Sequence, residues 1–224
     1  MNLCVIGASG KMGKNIISLS GEEGFTVVSE LGREIGNLDK FPDGVDVVID
    51  FSLPEATAKV IELCKSSKLP LVSGVTGLTD DQYNQLQTAG KEIAVLWSPN
   101  MSLGVAMFRR MLREFQAAKN WDFQMIETHH TKKQDSPSGT AKMLMGELEK
   151  ATQKSSKVSD MRLGNVYGVH QLFAVGPEEE IEITHRALDR KLFARGALQV
   201  AKWLVSQTNS AYTMEDYIES IVRE

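Results

Sequence analysis

Short apolar runs alternate with amphipathic segments over the first hundred residues of the chain. Largely apolar runs of strand length stand at residues 3–6, 25–28, 45–49, 69–73 and 93–97. The stretches between them carry apolar residues at helical spacing, as in Met12, Ile16, Ile17 and Leu19,. Short continuous apolar strands that alternate with helices are typical of a parallel sheet covered by helices on both faces. The pattern therefore predicts an α/β fold with an N-terminal Rossmann-like, doubly wound parallel sheet.

Three predicted helix starts have the spacing of a capping box, in which two side chains bond each other's backbone N–H groups across the first turn. The pairs are Ser52 with Glu55, Thr79 with Gln82, and Thr213 with Asp216. They predict helices over about 54–64 and 79–89 and a final helix after residue 213.

The second half of the chain has a different pattern, with strands grouped together. It predicts a long helix over 103–118, a strand over 123–128, a polar loop over 128–138 and a helix to 148. Residues 150–160 are polar and predict a surface loop, and strand-type runs stand near 161–166, 171–175 and 180–185. Gly176 and Pro177 between the last two runs indicate a hairpin. A helix follows over 194–206, so this half predicts a mixed-sheet α+β domain.

Composition and charge exclude several classes of function. The chain has 224 residues, 42% of them apolar, and a net charge of −4. Without a basic excess, binding to a nucleic-acid backbone is disfavoured. The N-terminus does not resemble a signal peptide, and no apolar run approaches the roughly 20 residues that span a bilayer. We therefore expect a cytoplasmic protein without a nucleic-acid or membrane partner, with Cys4 and Cys64 as buried reduced thiols.

A glycine-rich turn follows the first predicted strand and opens the first helix. Its sequence is Gly7-Ala8-Ser9-Gly10-Lys11-Met12-Gly13. Glycines at such a turn allow a tight reversal, close approach of the backbone to a pyrophosphate, and close helix–strand packing. Ser9 stands where the dinucleotide fingerprint has its second glycine, so an ordinary strand–helix turn is the alternative. The position between a strand and a helix N-terminus, which favours an anion, indicates dinucleotide binding.

The residues after the second predicted strand bear on which dinucleotide is used. They read Glu30-Leu31-Gly32-Arg33-Glu34. Arg33, together with Lys11, is suited to the 2′-phosphate of NADPH, whereas Glu30 or Glu34 is suited to the ribose 2′-hydroxyl of NADH. A solvated loop charge is the alternative for Arg33. The segment favours NADPH or the use of both cofactors.

The segment of residues 127–141, which contains the polar loop, carries the most specific combination of side chains. It contains His129 and His130, the pair Lys132 and Lys133, and a Ser138-Gly139-Thr140 helix opening. Histidine can transfer a proton near neutral pH, and lysine can donate a proton or pair with a carboxylate. Hydroxyls and N–H groups at a helix N-terminus favour a carboxylate. The loop therefore predicts a site for a small, doubly anionic substrate with an acid placed to protonate it.

Two other interpretations fit this loop less well. Adjacent histidines in an extended segment point to different sides, and neither a cysteine nor a third histidine has the spacing of a metal site, so we expect no metal. A solvated polar loop suits Pro137 and Gly139. However, two of the four histidines of the chain stand side by side here, which favours a functional site.

The segment from His129 to Ala141 closely resembles the signature of the dihydrodipicolinate reductase (4-hydroxy-tetrahydrodipicolinate reductase) family. The resemblance extends in order over nearly the whole chain, through the glycine-rich turn and the segments Asp50-Phe51-Ser52, Gly74-Val75-Thr76-Gly77, Ser98-Pro99-Asn100-Met101, Arg162-Leu163-Gly164 and Glu182-Ile183-Thr184-His185-Arg186-Ala187. It implies an oxidoreductase that reduces a small dicarboxylate, 4-hydroxy-tetrahydrodipicolinate, with NADPH or NADH in diaminopimelate and lysine biosynthesis. It also implies a homotetramer. The implied domains are a dinucleotide-binding domain of residues 1–101 and 191–224, and a substrate-binding and oligomerisation domain of residues 102–190.

The resemblance also implies residue roles. His129 takes the position of the proton donor or acceptor, and Lys133 takes that of the general acid. The implied substrate-binding residues are His130, Ser138, Gly139 and Thr140. The implied cofactor-binding residues are Gly7, Ala8, Ser9, Gly10, Lys11, Met12, Arg33, Phe51, Gly74, Val75, Thr76, Ser98, Pro99, Asn100 and Met101.

The chain departs from the family pattern at the cofactor end. Ser9 replaces a glycine, and Gly32 stands at the family's acidic position before Arg33, which argues against a strong preference for NADH. The chain is also short between residues 36 and 45. Two rival functions are a nicotinamide-binding regulatory protein without catalysis and a reductase of another small dicarboxylic acid. The regulatory protein would not need His129, His130 and Lys133 together.

Overall fold

The chain folds into two compact units. One contains residues 1–102 and the residues from 191 onward, and the other contains residues 103–190. The computed structural model describes residues 1–223, apart from the side chain of Arg33. Each unit has its own sheet and its own hydrophobic core.

The described residues alternate between strands and helices for most of their length. The strands are β1 (Asn2–Ile6), β2 (Thr26–Leu31), β3 (Val47–Asp50), β4 (Leu71–Ser73), β5 (Ala94–Trp97), β6 (Asp122–His129), β7 (Lys157–Arg162), β8 (Val169–Val175), β9 (Glu180–Arg186) and β10 (Ser210–Tyr212). The α-helices are α1 (Lys11–Ser20), α2 (Thr57–Ser67), α3 (Asp80–Ala89), α4 (Leu103–Leu112), α5 (Gly139–Thr152), α6 (Lys191–Leu204) and α7 (Met214–Arg223). Short 3₁₀ helices occupy Arg33–Asn37, Pro54–Ala56 and Arg113–Ala118.

The sheet of the first unit has six parallel strands in the order β10-β5-β4-β3-β1-β2. β1 lies between β2 and β3, so the chain proceeds from β1 to one side of the sheet and then to the other. In open parallel sheets, ligands bind in the crevice that forms at the carboxyl ends of the strands where the order reverses. The predicted Rossmann-like, doubly wound sheet is therefore confirmed, and its ligand crevice is expected after β1 and β3.

The central strands of this sheet are buried on both faces. All four residues of β3 are buried, as are Leu3, Cys4, Val5 and Ile6 of β1. Helix α6 packs on α1 and on β3, β4 and β5, while α2 packs on α3. Because helices cover both faces, β1 and β3 have continuous rather than alternating apolar sequences.

The sheet of the second unit has four strands in the order β7-β6-β8-β9. β6 pairs parallel with β7 and antiparallel with β8. β8 and β9 form the predicted hairpin, in which Gly176 donates its N–H to the Glu179 carbonyl at 2.8 Å. Phe108 of α4 and Leu144 of α5 share a core with Met125 of β6. The predicted mixed-sheet α+β domain is confirmed.

Two of the three predicted capping boxes are confirmed. Thr79 donates its N–H to Gln82 Oε1 at 2.9 Å and accepts the Gln82 N–H at 3.3 Å. Thr213 and Asp216 do the same at 2.8 Å and 3.3 Å. Each helix N-terminus thereby gains partners for N–H groups that have none inside the helix.

The third predicted capping box, at Ser52 and Glu55, is wrong. Ser52 donates its N–H to Asp50 Oδ1 at 2.8 Å. A 3₁₀ turn begins at Pro54, and α2 begins only at Thr57, without a side-chain cap. The turn separates Ser52 from the helix that it was expected to cap.

Two edge strands were not predicted correctly. Residues 150–160, expected as a surface loop, contain the end of α5 and most of β7, whose side chains are mostly exposed. β10 has three residues and pairs with β5 at the edge of the first sheet. An exposed edge strand needs no apolar alternation, and three residues are too few to show a period, so neither strand has the usual sequence pattern.

Replacing Thr79 with alanine is expected to lower the free energy of unfolding by about 1 kcal/mol. The change removes the hydroxyl that accepts the Gln82 N–H in the first turn of α3. Urea unfolding measures the loss. Thr88→Ala, at an exposed position of the same helix, is the control and should cost nothing, because alanine is the better helix former,. An equal loss at both positions would argue against the cap.

Candidate active site

The glycine-rich turn joins β1 to α1 at the carboxyl edge of the first sheet. Gly7 donates its N–H to the Leu31 carbonyl at 2.8 Å and has a φ of +79°. A Cβ on Gly7 would stand 2.5 Å from the Phe51 carbonyl oxygen. Gly10 is the N-cap of α1 and has no side chain to bond the first-turn N–H groups, which stay available to an anion,. The turn therefore has the features that fit a pyrophosphate.

Two adjoining cavities flank this turn. One has a volume of about 490 Å³, and its lining includes Gly7, Ser9, Gly10, Phe51 and Ser52. The other has a volume of about 780 Å³, and its lining includes Ser9, Lys14, Glu30, Gly32 and Glu34. Both volumes lie in the range of small-molecule sites. Ser9 and Gly32 line both cavities, so together they form an extended groove along the turn.

The segment after β2 contains the residues expected to select the cofactor. Glu34 Oε1 accepts the Gly32 N–H at 2.6 Å. Hydrogen bonds from its own backbone N–H and from that of Gly32 lower the pKa of Glu34. Glu30 and Lys14 line the larger cavity, and Lys14 was not singled out in the sequence. Lys11 is exposed at the start of α1, and the side chain of Arg33 lies outside the described part of the structure.

Three loops after β3, β4 and β5 meet beside the turn. Gly74 donates its N–H to the Asp50 carbonyl at 2.9 Å, and Ser98 donates to the Ser73 carbonyl at 3.1 Å. A Cβ on Gly74 would overlap the Phe51 ring. The structure thus brings one set of the predicted cofactor residues to one edge of the sheet, namely Phe51, Gly74, Val75, Thr76, Ser98, Pro99, Asn100 and Met101.

Asp50, the last residue of β3, is a buried carboxyl beside these loops. It is 1% exposed. Burial raises its pKa to about 6, although hydrogen bonds from Ser52 act in the opposite direction. Because this pKa is higher than in the unfolded chain, the folded state favours the neutral acid. The stability contributed by that preference is present at low pH and is lost as the pH rises through about 6,.

Replacing Asp50 with asparagine is expected to stabilise the protein at pH 7 to 8 relative to the unchanged chain. Two units of pKa correspond to a gain of at most about 3 kcal/mol. The difference between the two proteins should be constant below about pH 4 and grow up to about pH 6, as measured by urea unfolding across that range. Asp39→Asn, at an exposed position, is the control. A difference that does not change with pH would refute this account of Asp50.

The loop rich in histidine and lysine begins where β6 ends and stops at α5. Met125, Glu127 and His129 alternate along β6 and are all buried, with Glu127 fully so. Ser138 is the N-cap of α5, and its hydroxyl accepts the Ala141 N–H at 3.1 Å. Side chains of β6 therefore lie beside the first turn of α5.

The carboxylate of Glu127 is the centre of this group. Its Oε1 accepts the Ser138 N–H at 2.8 Å and lies 3.4 Å from Arg162 Nη2. Its Oε2 accepts the Ser138 hydroxyl and lies 3.4 Å from His129 Nδ1 and 3.6 Å from His170 Nε2. The His129 contact lacks hydrogen-bond geometry and is electrostatic.

Lys133 and Asp135 form an ion pair in the loop. Lys133 Nζ lies 2.8 Å from Asp135 Oδ1, and Asp135 Oδ2 accepts the Gly139 N–H at 3.3 Å. The hydrogen bond from Lys133 lowers the pKa of Asp135. Arg162 of β7 supports the loop by donating to the Asp135 carbonyl at 2.6 Å. One carboxylate thus bridges the expected general acid and the N-terminus of α5.

The four histidines of the chain all lie in the second unit. The rings of His129 and His170 meet edge to face at 5.3 Å, and those of His170 and His185 are 6.4 Å apart. Burial lowers the pKa of all three, and burial together with His129 and His185 lowers that of His170 to about 3. His170 is therefore neutral at pH 7. His130 Nε2 lies 3.0 Å from Arg190 Nη2.

Glu127, His129 and His170 place ligand atoms within 4.8 Å of one another. The sequence offered no third histidine at the spacing of a metal site, but strand pairing supplies one, because β8 places His170 opposite Glu127. However, Ser138 already donates a hydrogen bond to each oxygen of the Glu127 carboxylate, and the Arg162 guanidinium lies beside one of these oxygens. A nearby positive charge disfavours a cation, so we interpret the cluster as a hydrogen-bonding and charge network.

Two family models together cover almost the whole chain. The model of dihydrodipicolinate reductase, N-terminus, matches residues 1–101, and that of dihydrodipicolinate reductase, C-terminus, matches residues 104–218. The chain belongs to the dihydrodipicolinate reductase family. As in a reductase of this family, its N-terminal unit is a dinucleotide-binding domain.

Relatives in the dihydrodipicolinate reductase family match the chain over nearly its full length. The 4-hydroxy-tetrahydrodipicolinate reductase of Bdellovibrio bacteriovorus is 40% identical over 217 residues, which are 96% of this chain and 94% of that protein. The enzyme of the same name from Alkaliphilus oremlandii is 33% identical over 242 residues, covering 99% of this chain and all of that protein. The chain is therefore similar to these enzymes in both units.

Solved structures agree with the fold of a dihydrodipicolinate reductase. The dipicolinate-bound dihydrodipicolinate reductase from Paenisporosarcina sp. TG-14 has a TM-score of 0.82 at 20% identity, covering 96% of this chain and 98% of that one. A probable dehydrogenase from Thermotoga maritima has a TM-score of 0.62 at 11% identity, covering 99% and 94%. Within residues 1–223, no helix has the length and apolar character needed to cross a membrane.

Several residues in the site of this dihydrodipicolinate reductase family member had no role in the sequence analysis. They are Glu127, Arg162, His170, His185 and Arg190. One signal was present for Glu127, because strand alternation places it on the same face as Met125 and His129, and a charged residue on a buried face indicates function. Arg162 comes from the exposed edge strand β7, where strand alternation gives no such signal, and only the resemblance of Arg162-Leu163-Gly164 to the family pointed to this segment.

Proposed function

We propose that this chain reduces 4-hydroxy-tetrahydrodipicolinate to tetrahydrodipicolinate with NAD(P)H, a step of diaminopimelate and lysine biosynthesis. One observation carries the proposal: the Asp135 carboxylate bridges Lys133 Nζ and the Gly139 N–H. These two groups are therefore placed to hold a carboxylate, and the substrate has two. The relatives described above are named for the same reaction, which supports the proposal.

In the proposed complex, His130, Lys133 and the Ser138–Thr140 turn bind the substrate carboxylates. The turn opens a helix of 14 residues, whose N-terminus favours negative charge,. Arg190 beside His130 and Arg162 beside Lys133 add positive charge at the same end of the unit. Together with Lys133, these cations are groups of the unit that can pair with the two negative charges of the substrate.

Lys133 and His129 have separate tasks in the proposed reaction. After the 4-hydroxyl group has left as water, a bound reduced nicotinamide would supply hydride to a ring carbon of the resulting unsaturated substrate. The Lys133 ammonium donates the proton that neutralises the developing negative charge. Burial lowers the pKa of His129, so its imidazole is neutral near pH 7. A neutral imidazole both donates and accepts, which suits it to relaying a proton.

We propose that the chain uses NADPH and also accepts NADH. Arg33 follows β2 and precedes Glu34, and Lys14 lines the adjoining cavity, so cationic groups are available for a 2′-phosphate. Glu30 in the same cavity is suited to a ribose hydroxyl,. The rates with NADPH and NADH in Arg33→Ala test this. The variant should lose activity mainly with NADPH. Equal losses with both cofactors would show that Arg33 does not recognise the 2′-phosphate.

The reaction is tested by the loss of reduced-nicotinamide absorbance on mixing the protein with freshly generated 4-hydroxy-tetrahydrodipicolinate. Turnover supports the proposed function. Tight dinucleotide binding without turnover would instead favour a regulatory protein, and turnover only with a different dicarboxylate would change the substrate. Lys133→Ala prepared in parallel controls for a contaminating reductase.

We propose further that the chain is a cytoplasmic homotetramer. Met161, Val175 and Ile181 on the strands of the second unit are exposed apolar residues, as expected of a sheet that pairs between subunits,. Cys4 and Cys64 are free and buried, which suits a reducing compartment,. Light scattering after size exclusion measures the mass, and a monomer would refute the tetramer.

A further inference from the structure

Glu127 is a charged residue in a place where charge is costly. Its side chain is fully buried in the middle of β6. A buried carboxylate is destabilising unless hydrogen bonds and opposite charges compensate for its lost hydration. The partners that compensate for Glu127 therefore indicate what this residue is for.

Those partners belong to the candidate active site. The Ser138 N–H and hydroxyl both donate to the Glu127 carboxylate, and the same hydroxyl caps α5 by accepting the Ala141 N–H. Glu127 thereby fixes the residue that precedes Gly139 and Thr140. We proposed above that the first turn of α5 binds a substrate carboxylate. Glu127 holds this turn in place through its hydrogen bonds to Ser138.

The same carboxylate also borders the ring of His129. Glu127 Oε2 lies 3.4 Å from His129 Nδ1. On the other side of the ring, a Cβ on Gly168 would stand 3.0 Å from Nε2, and the His170 ring meets the His129 ring edge to face. The imidazole therefore lies in a slot between Glu127, Gly168 and His170, with Nδ1 toward the carboxylate.

A comparison with Glu147 separates this role from ordinary ion pairing. Glu147 is also buried in the second unit, but Arg109 and Arg113 contact its two oxygens at 2.8 Å and 2.7 Å. Glu127 has one arginine contact, at 3.4 Å, and its closest partner is Ser138. Glu147 is therefore a structural ion pair, whereas Glu127 is bonded mainly to groups of the site.

We propose that Glu127 is a positioning residue that fixes the His129 imidazole and the first turn of α5 in one arrangement. The proposal rests on the proposed function for its effect on turnover, but its effect on His129 does not need a substrate. The negative charge of Glu127 also favours protonation of His129, against the effects of burial, Lys133 and Arg162, with Asp135 acting in the same direction as Glu127.

Glu127→Gln keeps the size of the side chain and removes its charge. We expect the pKa of the His129 ring to fall, because an attractive charge is lost while Lys133, Arg162 and the neutral His170 remain. We also expect kcat to fall about 10- to 100-fold, the size of effect known for changing the partner that orients a metal-bound histidine. Glu127→Asp keeps the charge and should restore part of both properties.

The test is an NMR titration of the histidine rings in the unchanged protein, Glu127→Gln and Glu127→Asp, together with pH–rate profiles. Four histidines make the ring signals assignable. Glu147→Gln is the matched control, since it removes a second buried carboxylate outside the site. A lowered His129 pKa in Glu127→Gln but not in Glu147→Gln, with an acid limb of the rate profile displaced to lower pH, supports the proposal.

An unchanged His129 pKa in folded Glu127→Gln overturns the proposal, as does an equal change in Glu147→Gln. If Glu127→Gln does not fold, Glu127→Asp and Gly168→Ala decide. Each variant should change the pKa of His129. If neither variant changes it, Glu127 and Gly168 do not position the His129 ring. If the unchanged protein shows no turnover, the proposed function fails, while the ring titration still decides whether Glu127 positions His129.

Discussion

Lys133→Ala is expected to lower kcat/KM for 4-hydroxy-tetrahydrodipicolinate by at least about 10²–10⁴-fold, the usual effect of losing a general acid. The loss should reach or exceed the upper part of this range, because the variant also loses a cation that pairs with a carboxylate. In the structure that carboxylate is Asp135, 2.8 Å from Nζ. The loss of reduced-nicotinamide absorbance at high enzyme concentration measures the residual rate.

Lys132→Ala is the matched control for this experiment. Lys132 is the exposed neighbour of Lys133, so its loss changes the net charge of the loop equally. It should alter the rate only slightly. Neither variant changes the glycine-rich turn or the loops after β3, β4 and β5, so both should keep the affinity for the dinucleotide. Activity near that of the unchanged protein in Lys133→Ala would remove Lys133 from the reaction.

Gly7→Ala is expected to abolish tight dinucleotide binding and to destabilise the first unit. An L-residue at a φ of +79° costs about 1–2 kcal/mol, and overpacking costs about 1–3 kcal/mol more,. The added Cβ would stand 2.5 Å from the Phe51 carbonyl, so the turn or the segment after β3 must move. Both border the cavity of about 490 Å³, so the groove changes shape as well.

Fluorescence titration with NADPH and urea unfolding measure the two effects of Gly7→Ala. Gly21→Ala is the control, because Gly21 has helical φ and ψ at the end of α1 and a Cβ there would meet nothing within 4 Å. It should leave the affinity unchanged and raise stability slightly. Unchanged affinity in Gly7→Ala would show that the turn does not bind the pyrophosphate.

Features encoded in a single segment could be predicted from the sequence. β1 and β3 are recognisable because burial on both faces makes their sequences continuously apolar. The glycine-rich turn and the segment of residues 127–141 are likewise local, since their functional groups lie close together along the chain. The roles assigned to these residues remain predictions that the variants above test.

Features that depend on strand pairing could not be predicted. His170 reaches the site because β8 pairs it opposite Glu127, and Arg162 does so because β7 pairs with β6 beside the loop. Nothing in the local sequence specifies either partner, since register is set by the whole sheet. β7 and β10 were missed for a related reason, because their places are fixed by a neighbouring strand and not by their own apolar pattern.

The first unit is built from two separate stretches of the chain, and this affects when it can fold during translation. The chain leaves this unit at residue 102 and returns at residue 191. α6, which packs on α1 and on β3 to β5, and the edge strand β10 are therefore made after the whole second unit. On the ribosome the second unit can fold first, while the six-stranded sheet of the first unit stays incomplete until residue 212 has emerged. A nascent chain therefore cannot finish its first unit before its second unit has been made.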